Sequence, residues 1–286
     1  MDKVILTPNP YRDKEFKTLR EAMCILKENN IETRVCLPFM VDKNCVLPKD
    51  IYFSRLDREL PGASMVICFG GDGTILHMSK AATRNNVPVL GVNIGTMGFM
   101  AELESSEISL LSRIATGEYS VVNRMMLDVV VHRDRDIIFH DICLNDVVIT
   151  KGAVARIVHL AVKCDGVQAM ECGGDGIIVA TPTGSTAYSM SAGGPIVEPN
   201  AENLILTPIC AHSLNPRTVV LRGSRKVEIK LGSKVDTVLS LDGNTTFHVF
   251  PDDIIEITKS RYITTLVVGT KRNFYEIVKR KLNTDF

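Results

Sequence analysis

The strongest constraint in this chain is a glycine-rich turn, GGDGT at residues 70–74, between two apolar segments. Residues 65–69 predict a buried strand, and residues 75–78 predict the start of a helix. Glycines have no side chain, so backbone N–H groups at such a turn can approach phosphate oxygens closely. The helix dipole also favours negative charge there. The turn therefore predicts a phosphate-binding site.

One carboxylate, Asp72, lies among these glycines, where it would repel a phosphate group. A base that accepts a proton from an attacking hydroxyl group would explain its presence, and that explanation favours a kinase. The alternative is a plain strand-to-helix turn in which the Asp72 side chain caps the helix. The pentapeptide alone leaves both interpretations open.

Composition narrows the class of protein. The 286 residues suffice for one large domain or two medium ones, and 33 basic residues balance 33 acidic ones, so charge gives no reason to expect nucleic acid or an anionic membrane as partner. We see no apolar stretch of membrane-spanning length and no secretory signal, and we expect a cytoplasmic protein. The eight cysteines are scattered, and most of them, such as Cys68, Cys143 and Cys210, are expected to be buried and reduced. No spacing indicates a structural metal site.

The N-terminal third alternates between strand and helix patterns. Strands are predicted at residues 4–6, 31–37, 65–69 and 87–93, and a helix is predicted at residues 13–29. Residues 38–64 are expected to form a loop with a short helix. Repeated β-α-β units imply a Rossmann-like parallel sheet with helices on both faces, and ligands of such sheets bind beyond the carboxyl ends of the strands.

After residue 118 the pattern becomes that of a β-rich domain. Strands are predicted at residues 126–131, 136–143, 147–150, 156–162, 176–180, 218–221, 226–231, 238–241, 254–258 and 263–268. Such spacing predicts a β-sandwich. Residues 273–283 predict a helix that folds back. We therefore expect an α/β domain at 1–120, with the tail 271–286 packing on it, and a β-rich domain at 121–270.

A second informative segment, TPTGSTAY, follows the predicted strand at 176–180. Ser185 or Thr186 is expected to cap a short helix. Small residues such as Ala187 and Ser191 would let the backbone approach a flat base, which predicts a nucleoside pocket. A capped helix packed closely on a sheet is an equally good interpretation.

Asn145 and Asp146 interrupt two apolar runs and could bind an adenine edge or the hydroxyl groups of a ribose. On spacing alone, a turn between strands is the favoured explanation of the pair, and residues 242–244 likewise have an ordinary hairpin-turn signature. His77 could face a phosphate, although an exposed helix histidine is the simpler expectation. His212 is expected to be a buried histidine.

The order of the motifs along the chain carries a family resemblance. The segments CFGGDGT, GVNIGTMGFMAE, LNDVVI, DGIIVATPTGSTAY and LDGN resemble, in this order, the NAD kinase family, over roughly residues 65–244. The resemblance implies an α/β N-terminal domain, a β-rich C-terminal domain and NAD bound between them. It also implies a homo-oligomer, dimer or tetramer, with the site completed near a subunit contact.

Carried over position by position, the resemblance implies that Asp72 is the catalytic residue. It implies that NAD or nucleotide is bound by Gly70, Gly71, Gly73, Thr74, Asn145, Asp146, Arg156, Asp175, Thr186, Ala187, Tyr188, Ser191 and Asn244. Three positions depart from the common pattern: Asn244 stands where many members carry Gln, Gly173 where some carry a basic residue, and Thr96-Met97 where others carry Arg-Leu.

The implied reaction transfers a phosphoryl group from ATP or inorganic polyphosphate to the 2′-hydroxyl of the adenosine ribose of NAD, giving NADP. Mg²⁺ or another divalent cation would accompany the donor. A lipid kinase of the diacylglycerol or sphingosine type shares the GGDGT turn but lacks TPTGSTAY. A kinase of the phosphofructokinase type would need a basic cluster that we do not find, and an NAD-binding regulator without catalysis would have no need of Asp72.

Overall fold

A computed structural model describes residues 1–95, 98–152, 156–212, 217–232, 235–270 and 272–282. The chain forms two compact units. The first comprises residues 1–123 together with 264–286, and the second comprises residues 124–263. Thr96 and Met97, the pair that departs from the family pattern, lie outside the described residues, as does part of the predicted tail.

The described residues form eighteen strands and six α-helices. The strands are β1 Lys3–Pro8, β2 Glu32–Cys36, β3 Phe53–Ser54, β4 Met65–Gly70, β5 Val89–Asn93, β6 Leu103–Glu104, β7 Ser120–Arg133, β8 Asp136–Cys143, β9 Asp146–Lys151, β10 Val158–Cys164, β11 Val167–Gly174, β12 Gly176–Ala180, β13 Asn203–Ile209, β14 Val219–Arg222, β15 Val227–Leu231, β16 Thr237–Leu241, β17 Thr245–Val249 and β18 Asp253–Val268. The helices are α1 Lys17–Glu28, α2 Leu56–Glu59, α3 Asp72–Arg84, α4 Leu111–Ala115, α5 Tyr188–Ser191 and α6 Phe274–Leu282.

The first unit is built on a parallel sheet with the strand order β5-β4-β1-β2-β3. Side chains alternate between its faces, so that Val4 and Leu6 join one core and Ile5 joins another. Helices α1 and α4 cover the first face, and α3 covers the second. The expected Rossmann-like sheet with helices on both faces is confirmed, because alternate residues of fully buried strands need apolar partners on each side.

Helix α1 begins four residues later than the periodicity predicts. Glu15 and Phe16 have φ values of 54° and 56°, in the left-handed region, and break the helical path before Lys17. The buried carboxylate of Asp13 reaches past this break and accepts the backbone N–H groups of Thr18 and Leu19, each at 3.0 Å. A side chain that lies before the helix thus satisfies donors that every helix start leaves without an intrahelical partner.

The second unit is the predicted β-sandwich. One sheet has the antiparallel order β14-β13-β12-β9-β16-β17, and the facing strands are β7 from Arg124 on, β8, β10, β11, β15 and the part of β18 up to Ile263. Val147 and Ile177 from the first sheet share a core with Leu160 and Ile229 from the second. A smaller apolar cluster covers the outer face of the six-stranded sheet, next to α5.

Several strand predictions need correction. The strands predicted at residues 254–258 and 263–268 are one strand, β18, because Lys259, Ser260 and Arg261 continue the extended backbone as its polar middle. Three strands were not predicted: β11, which is rich in Gly and polar residues, the half-buried β17, and β13, which contains Pro208, a residue type that is rare inside strands. Residues 38–64 contain β3 as well as the short helix α2.

Two burial predictions were wrong at the end of β13. The buried run ends at Ile209, and Cys210 follows with φ 44°, which turns the chain outward. Cys210 and His212 are therefore exposed, whereas Cys68 and Cys143 are buried as expected.

Replacing Asp13 by Ala should lower the free energy of unfolding by about 1–2 kcal/mol, the upper part of the range for losing a helix-capping side chain. The effect arises because the N–H groups of Thr18 and Leu19 lose their acceptor in a buried place. Denaturant unfolding followed by circular dichroism measures it. Glu21→Ala, at an exposed position of the same helix, is the matched control and should change stability by less than about 0.5 kcal/mol.

Candidate active site

The glycine-rich turn joins β4 directly to α3. Strand β4 ends at Gly70, Gly71 is the N-cap of α3, and Asp72 is the first residue of the helix. A Cβ atom at Gly70 would lie 2.2 Å from Oγ1 of Thr74, so only glycine allows the turn to close this tightly. The Thr74 hydroxyl in turn accepts a hydrogen bond from the Asn9 amide at 3.1 Å.

The Asp72 carboxylate does not cap α3; it accepts hydrogen bonds from a different segment. The backbone N–H of Phe99 donates to Oδ2 at 2.8 Å, and that of Met100 donates to Oδ1 at 3.1 Å. Gly98 makes the approach possible, because a Cβ atom there would lie 2.0 Å from Oδ1 of Asp72. The helix-cap alternative for Asp72 is therefore wrong, and its side chain is held in a defined orientation.

Asp72 lines a cavity of about 370 Å³ in the first unit, next to the N-terminus of α3. The cavity is lined by Asn9, Arg12, Phe39, Gly71, Asp72, Gly73, Thr74, His77, Gly98 and Lys281. Two cationic side chains, Arg12 and Lys281, thus share this space with one carboxylate. A helix N-terminus with two cations nearby is suited to a polyanionic ligand.

Two of the residues that line the cavity, His77 and Lys281, have aromatic neighbours. The His77 ring centroid lies 5.1 Å from that of Phe39, and burial lowers the pKa of His77, which favours the neutral imidazole. The side chain is exposed overall, as the simpler expectation had it. The Lys281 ammonium lies 4.3 Å from the ring centroid of Phe99, the residue whose N–H holds Asp72.

Sequence analysis missed Arg12 and Lys281. Arg12 follows β1, the strand next to β4 in the sheet, and carboxyl ends of neighbouring parallel strands meet at one edge. That rule could have identified Arg12. Lys281 lies on α6, more than two hundred residues from the glycine-rich turn, and only the fold brings it to the cavity.

In the second unit, Asn145 and Asp146 lie at the start of β9 beside the turn that follows β12. Thr181 donates its N–H to the Asn145 carbonyl at 2.8 Å and its hydroxyl to that of Leu144 at 2.6 Å. Gly184 packs so closely on Asn145 that a Cβ atom would lie 2.1 Å from the carbonyl oxygen. The pair and the TPTGSTAY turn, separate in sequence, therefore form one cluster.

Both side chains of the pair are unusual for buried groups. Asn145 is 7% exposed, and its Oδ1 atom has no hydrogen-bond partner among the described residues. Asp146 is 5% exposed; its burial, reinforced by the negative charge of Asp242, raises its pKa to about 7. Buried polar atoms normally find partners, so this acceptor is available to a donor group of a ligand.

The hydroxyl groups of the TPTGSTAY segment do not cap α5, contrary to expectation. The N-cap is Ala187, while the Ser185 hydroxyl donates to the Pro182 carbonyl at 2.6 Å and that of Thr186 to the Thr183 carbonyl at 3.2 Å. These bonds tighten the turn before the helix. Tyr188 is 45% exposed, and Ser191 is exposed as well, so both are open to a ligand.

The remaining predicted residues are distributed differently. Asn244 lies exposed in the hairpin turn between β16 and β17, near Asn145. Asp175 lies at the other end of the five-residue strand β12 from the TPTGSTAY turn, a separation of about 17 Å at 3.3 Å per residue. There its carboxylate pairs with the Lys151 ammonium group at 2.6 Å. Arg156 is exposed and follows residues outside the described part of the chain.

Within the described ranges, no group of three or more His, Cys, Asp or Glu side chains is arranged to hold a metal ion. In the same part of the chain, no helix has both the length and the apolar character needed to cross a membrane.

Two family models match the chain. The ATP-NAD kinase N-terminal domain matches residues 11–119, and the ATP-NAD kinase C-terminal domain matches residues 144–268. An NAD kinase of Natranaerobius thermophilus is 42% identical over 99% of this chain and 98% of its own length. One of Acetivibrio thermocellus is 36% identical over 99% and 97%.

Solved structures agree. The crystal structure of yeast NADH kinase complexed with NADH superposes with a TM-score of 0.84 at 27% identity, covering 100% of this chain and 88% of the other. An Archaeoglobus fulgidus NAD kinase in complex with ATP has the same fold, with a TM-score of 0.77 at 23% identity, covering 99% and 100%.

Fold and site together define a phosphotransferase with an alcohol group as acceptor, built from an α/β unit and a β-sandwich unit. More particularly, the chain belongs to the NAD kinase family.

The pKa of Asp146 predicts a pH dependence of stability. An unfolded Asp titrates near pH 3.9, so between about pH 4 and pH 7 the folded protein holds a proton that the unfolded chain has lost. The contribution of this group to the unfolding free energy should therefore fall as pH rises through that window, by at most about 1.4 kcal/mol per pH unit, and level off above it. Urea unfolding at pH 5 and pH 8 measures the difference.

Asp146→Asn should reduce that difference, because the residue no longer titrates. Asp136→Asn, at the exposed start of β8, is the control and should leave it as in the parent protein. An equal pH dependence in all three proteins would contradict the raised pKa.

Proposed function

We propose that the chain transfers a phosphoryl group from ATP, or from inorganic polyphosphate, to the 2′-hydroxyl of the adenosine ribose of NAD and so makes NADP. The observation that carries the proposal is the Asp72 carboxylate, which the Phe99 and Met100 N–H groups fix in a cavity that two cationic side chains also line. The family assignment supports the substrate pair, and the yeast relative is complexed with NADH.

Asp72 acts as the base in this proposal. Each carboxylate oxygen accepts one backbone N–H and retains a lone pair for the proton of the attacking hydroxyl group. Phosphoryl transfer passes through a loose transition state, in which positioning matters more than base strength. A weakly basic but rigidly held carboxylate is suited to that task.

Donor phosphates would bind at the N-terminus of α3, against the backbone of Gly70, Gly71, Gly73 and Thr74. Arg12 and Lys281 would offset the charge of the phosphates, which Asp72 alone would repel. Mg²⁺ fits as a companion of the donor, since Asp72 is the one acidic side chain among the described lining residues and no cage for a metal surrounds it. When bound, the cation neutralises phosphate charge.

The acceptor NAD would be bound in the second unit by the cluster around Asn145. The proposed contacts are Asn145, Asp146, Thr186, Ala187, Tyr188, Ser191 and Asn244. The orphaned Oδ1 of Asn145 is a suitable acceptor for a ribose or amide donor, and the exposed ring of Tyr188 offers a surface for stacking. Arg156 and Asp175 are proposed as further contacts on the family resemblance.

We also propose a cytoplasmic homo-oligomer in which a second copy helps to complete the site. The family resemblance supports this assembly; Asp175, at the other end of β12 from the TPTGSTAY turn, would then serve the site of another copy. Light scattering on the purified protein should give a multiple of 31.5 kDa. A monomeric mass in the presence of NAD would refute this assembly.

The sequence raised three alternatives: a lipid kinase, a kinase of the phosphofructokinase type and an NAD-binding regulator without catalysis. A lipid kinase is disfavoured, because both family models that match the chain describe NAD kinases. An NAD-binding regulator without catalysis is separated from an enzyme by one assay: purified protein with NAD, Mg²⁺ and either ATP or polyphosphate, scored for NADP. Binding of NAD without NADP formation would select the regulator.

Asp72→Asn should lower turnover by about 10²–10⁴-fold, the usual contribution of a positioned general base. It should leave NAD affinity near that of the parent protein, because the proposed NAD contacts lie elsewhere. Steady-state NADP formation and equilibrium NAD binding measure the two effects. Asp57→Asn, on the exposed helix α2, controls for loss of a surface carboxylate.

Gly98→Ala gives the same test without removing the carboxylate. Its Cβ atom would displace the Asp72 side chain, so turnover should fall although the carboxylate is still present. Near-normal turnover in both the Asp72 and the Gly98 variants would exclude Asp72 as the base.

A further inference from the structure

We propose that Asp242 is a positioning residue for the acceptor substrate, a role that rests on the function proposed above. It fixes the backbone of residues 144–146 and so presents the Asn145 amide and the Asp146 carboxyl group to NAD. The family resemblance does not include Asp242 among the substrate contacts, and the sequence alone explains the residue as part of a hairpin turn.

The geometry shows a carboxylate that gathers three consecutive backbone donors. The Leu144 N–H donates to Oδ2 of Asp242 at 2.9 Å. The N–H groups of Asn145 and Asp146 both donate to Oδ1, at 2.7 and 3.2 Å. In return, the Asp242 N–H donates to the Asp146 carbonyl at 3.0 Å. One side chain thus fixes the three residues that enter β9.

The turn itself does not require a carboxylate. Asp242 and Gly243 have φ values of 52° and 67°, a backbone that Asn-Gly adopts as readily as Asp-Gly. Asn, however, has a single acceptor oxygen, and its NH₂ group would face an N–H donor instead of accepting from it. The negative charge is therefore explained by the three donors, and those donors belong to the proposed NAD site.

Rigid backbone at this point has a consequence for Asn145. Its side chain is more than nine-tenths buried, yet its Oδ1 has no partner among the described residues. A mobile segment would turn this acceptor to water or to a neighbouring donor. Because Asp242 holds the backbone, the acceptor stays unfilled and ready for a donor group of the ligand.

The same carboxylate sets the charge of its neighbour. Burial and the negative charge of Asp242 raise the pKa of Asp146 to about 7. The strand partner of Asp146 on β12 is the apolar Ala180, and β16 ends at Leu241, directly before Asp242, so Asp242 is the charged group that lies beside Asp146. Asp146 can therefore change its protonation state near neutral pH, at the place where NAD is proposed to bind.

The test compares Asp242→Asn with a matched control, Asp165→Asn. Asp165 is also followed by glycine in a hairpin turn, has φ 50°, and its carboxylate accepts the Lys226 N–H at 2.9 Å and the Arg225 guanidinium at 2.6 Å. Its hairpin joins β10 to β11, away from the Asn145 cluster. Both variants therefore lose the same charge from the same kind of turn.

Asp242→Asn should raise the KM for NAD about tenfold, in line with the loss of charge-assisted hydrogen bonds, and should change kcat little. The ionisation near pH 7 in the pH profile of kcat/KM for NAD should move to lower pH, because the neighbouring charge is gone. Asp165→Asn should keep the parent KM and the parent profile. A merely structural role of Asp242 would lower thermal stability and leave the KM for NAD at the parent value.

A second variant keeps the test decisive if Asp242→Asn does not fold. Asp146→Asn removes one of the two groups that Asp242 is proposed to present, so it should raise the KM for NAD and remove the ionisation near pH 7 from the profile. If the parent protein forms NADP but Asp146→Asn keeps the parent KM for NAD, or Asp242→Asn matches its control, the role of Asp242 is refuted while the proposed function stands. If the parent protein forms no NADP, the proposed function itself fails.

Discussion

The interaction on which much of this structure depends is a carboxylate that accepts backbone N–H groups from another segment. Asp13 holds the start of α1, Asp72 holds residues 99–100, and Asp242 holds residues 144–146. Glu102 does the same for Gly269 and Thr270. Each bond satisfies donors outside regular structure and is strengthened by the negative charge. Loops around both candidate clusters are thereby held in one conformation.

The two units bring their candidate site residues together by different kinds of strand pairing. The parallel sheet of the first unit brings the ends of β1 and β4 to one edge, which places Arg12 and the glycine-rich turn around a single cavity. The second unit uses antiparallel pairing: β9 has β12 on one side and β16 on the other, so the entry of β9 meets both the TPTGSTAY turn and a hairpin. Charged side chains line the cavity of the first unit, whereas the cluster of the second unit is built around the buried polar pair Asn145 and Asp146.

Most of the fold could be predicted from the sequence, because apolar periodicity reports which face of an element is buried. The predicted strand at 65–69 and the predicted tail helix correspond to β4 and α6, and both sheets were expected. Two predictions were wrong because the local pattern did not decide the structure. Left-handed residues shorten α1 despite its helical periodicity, and β13 contains Pro208 in its interior. Prediction also failed where a strand has a polar middle, as in β18.

The candidate site was less predictable. Motifs supplied Asp72 and the Asn145-Asp146 pair, but no local pattern shows that the Asp72 carboxylate bonds to Phe99 rather than to its own helix. The hairpin signature at residues 242–244 likewise does not reveal that Asp242 accepts hydrogen bonds from three backbone N–H groups nearly a hundred residues away. Lys281 is the extreme case, because its helix reads as an ordinary amphipathic segment.

The first unit is made of two stretches of chain, residues 1–123 and 264–286, with the whole second unit inserted between them. During synthesis, therefore, the Asp72 turn emerges early, but the cavity around it lacks its second cation until residue 281 has left the ribosome. The β-sandwich, by contrast, is one continuous stretch, residues 124–263, and all of it has been made by then. Because of the order of translation, the charged cavity of the first unit is completed only after the whole second unit has been synthesised.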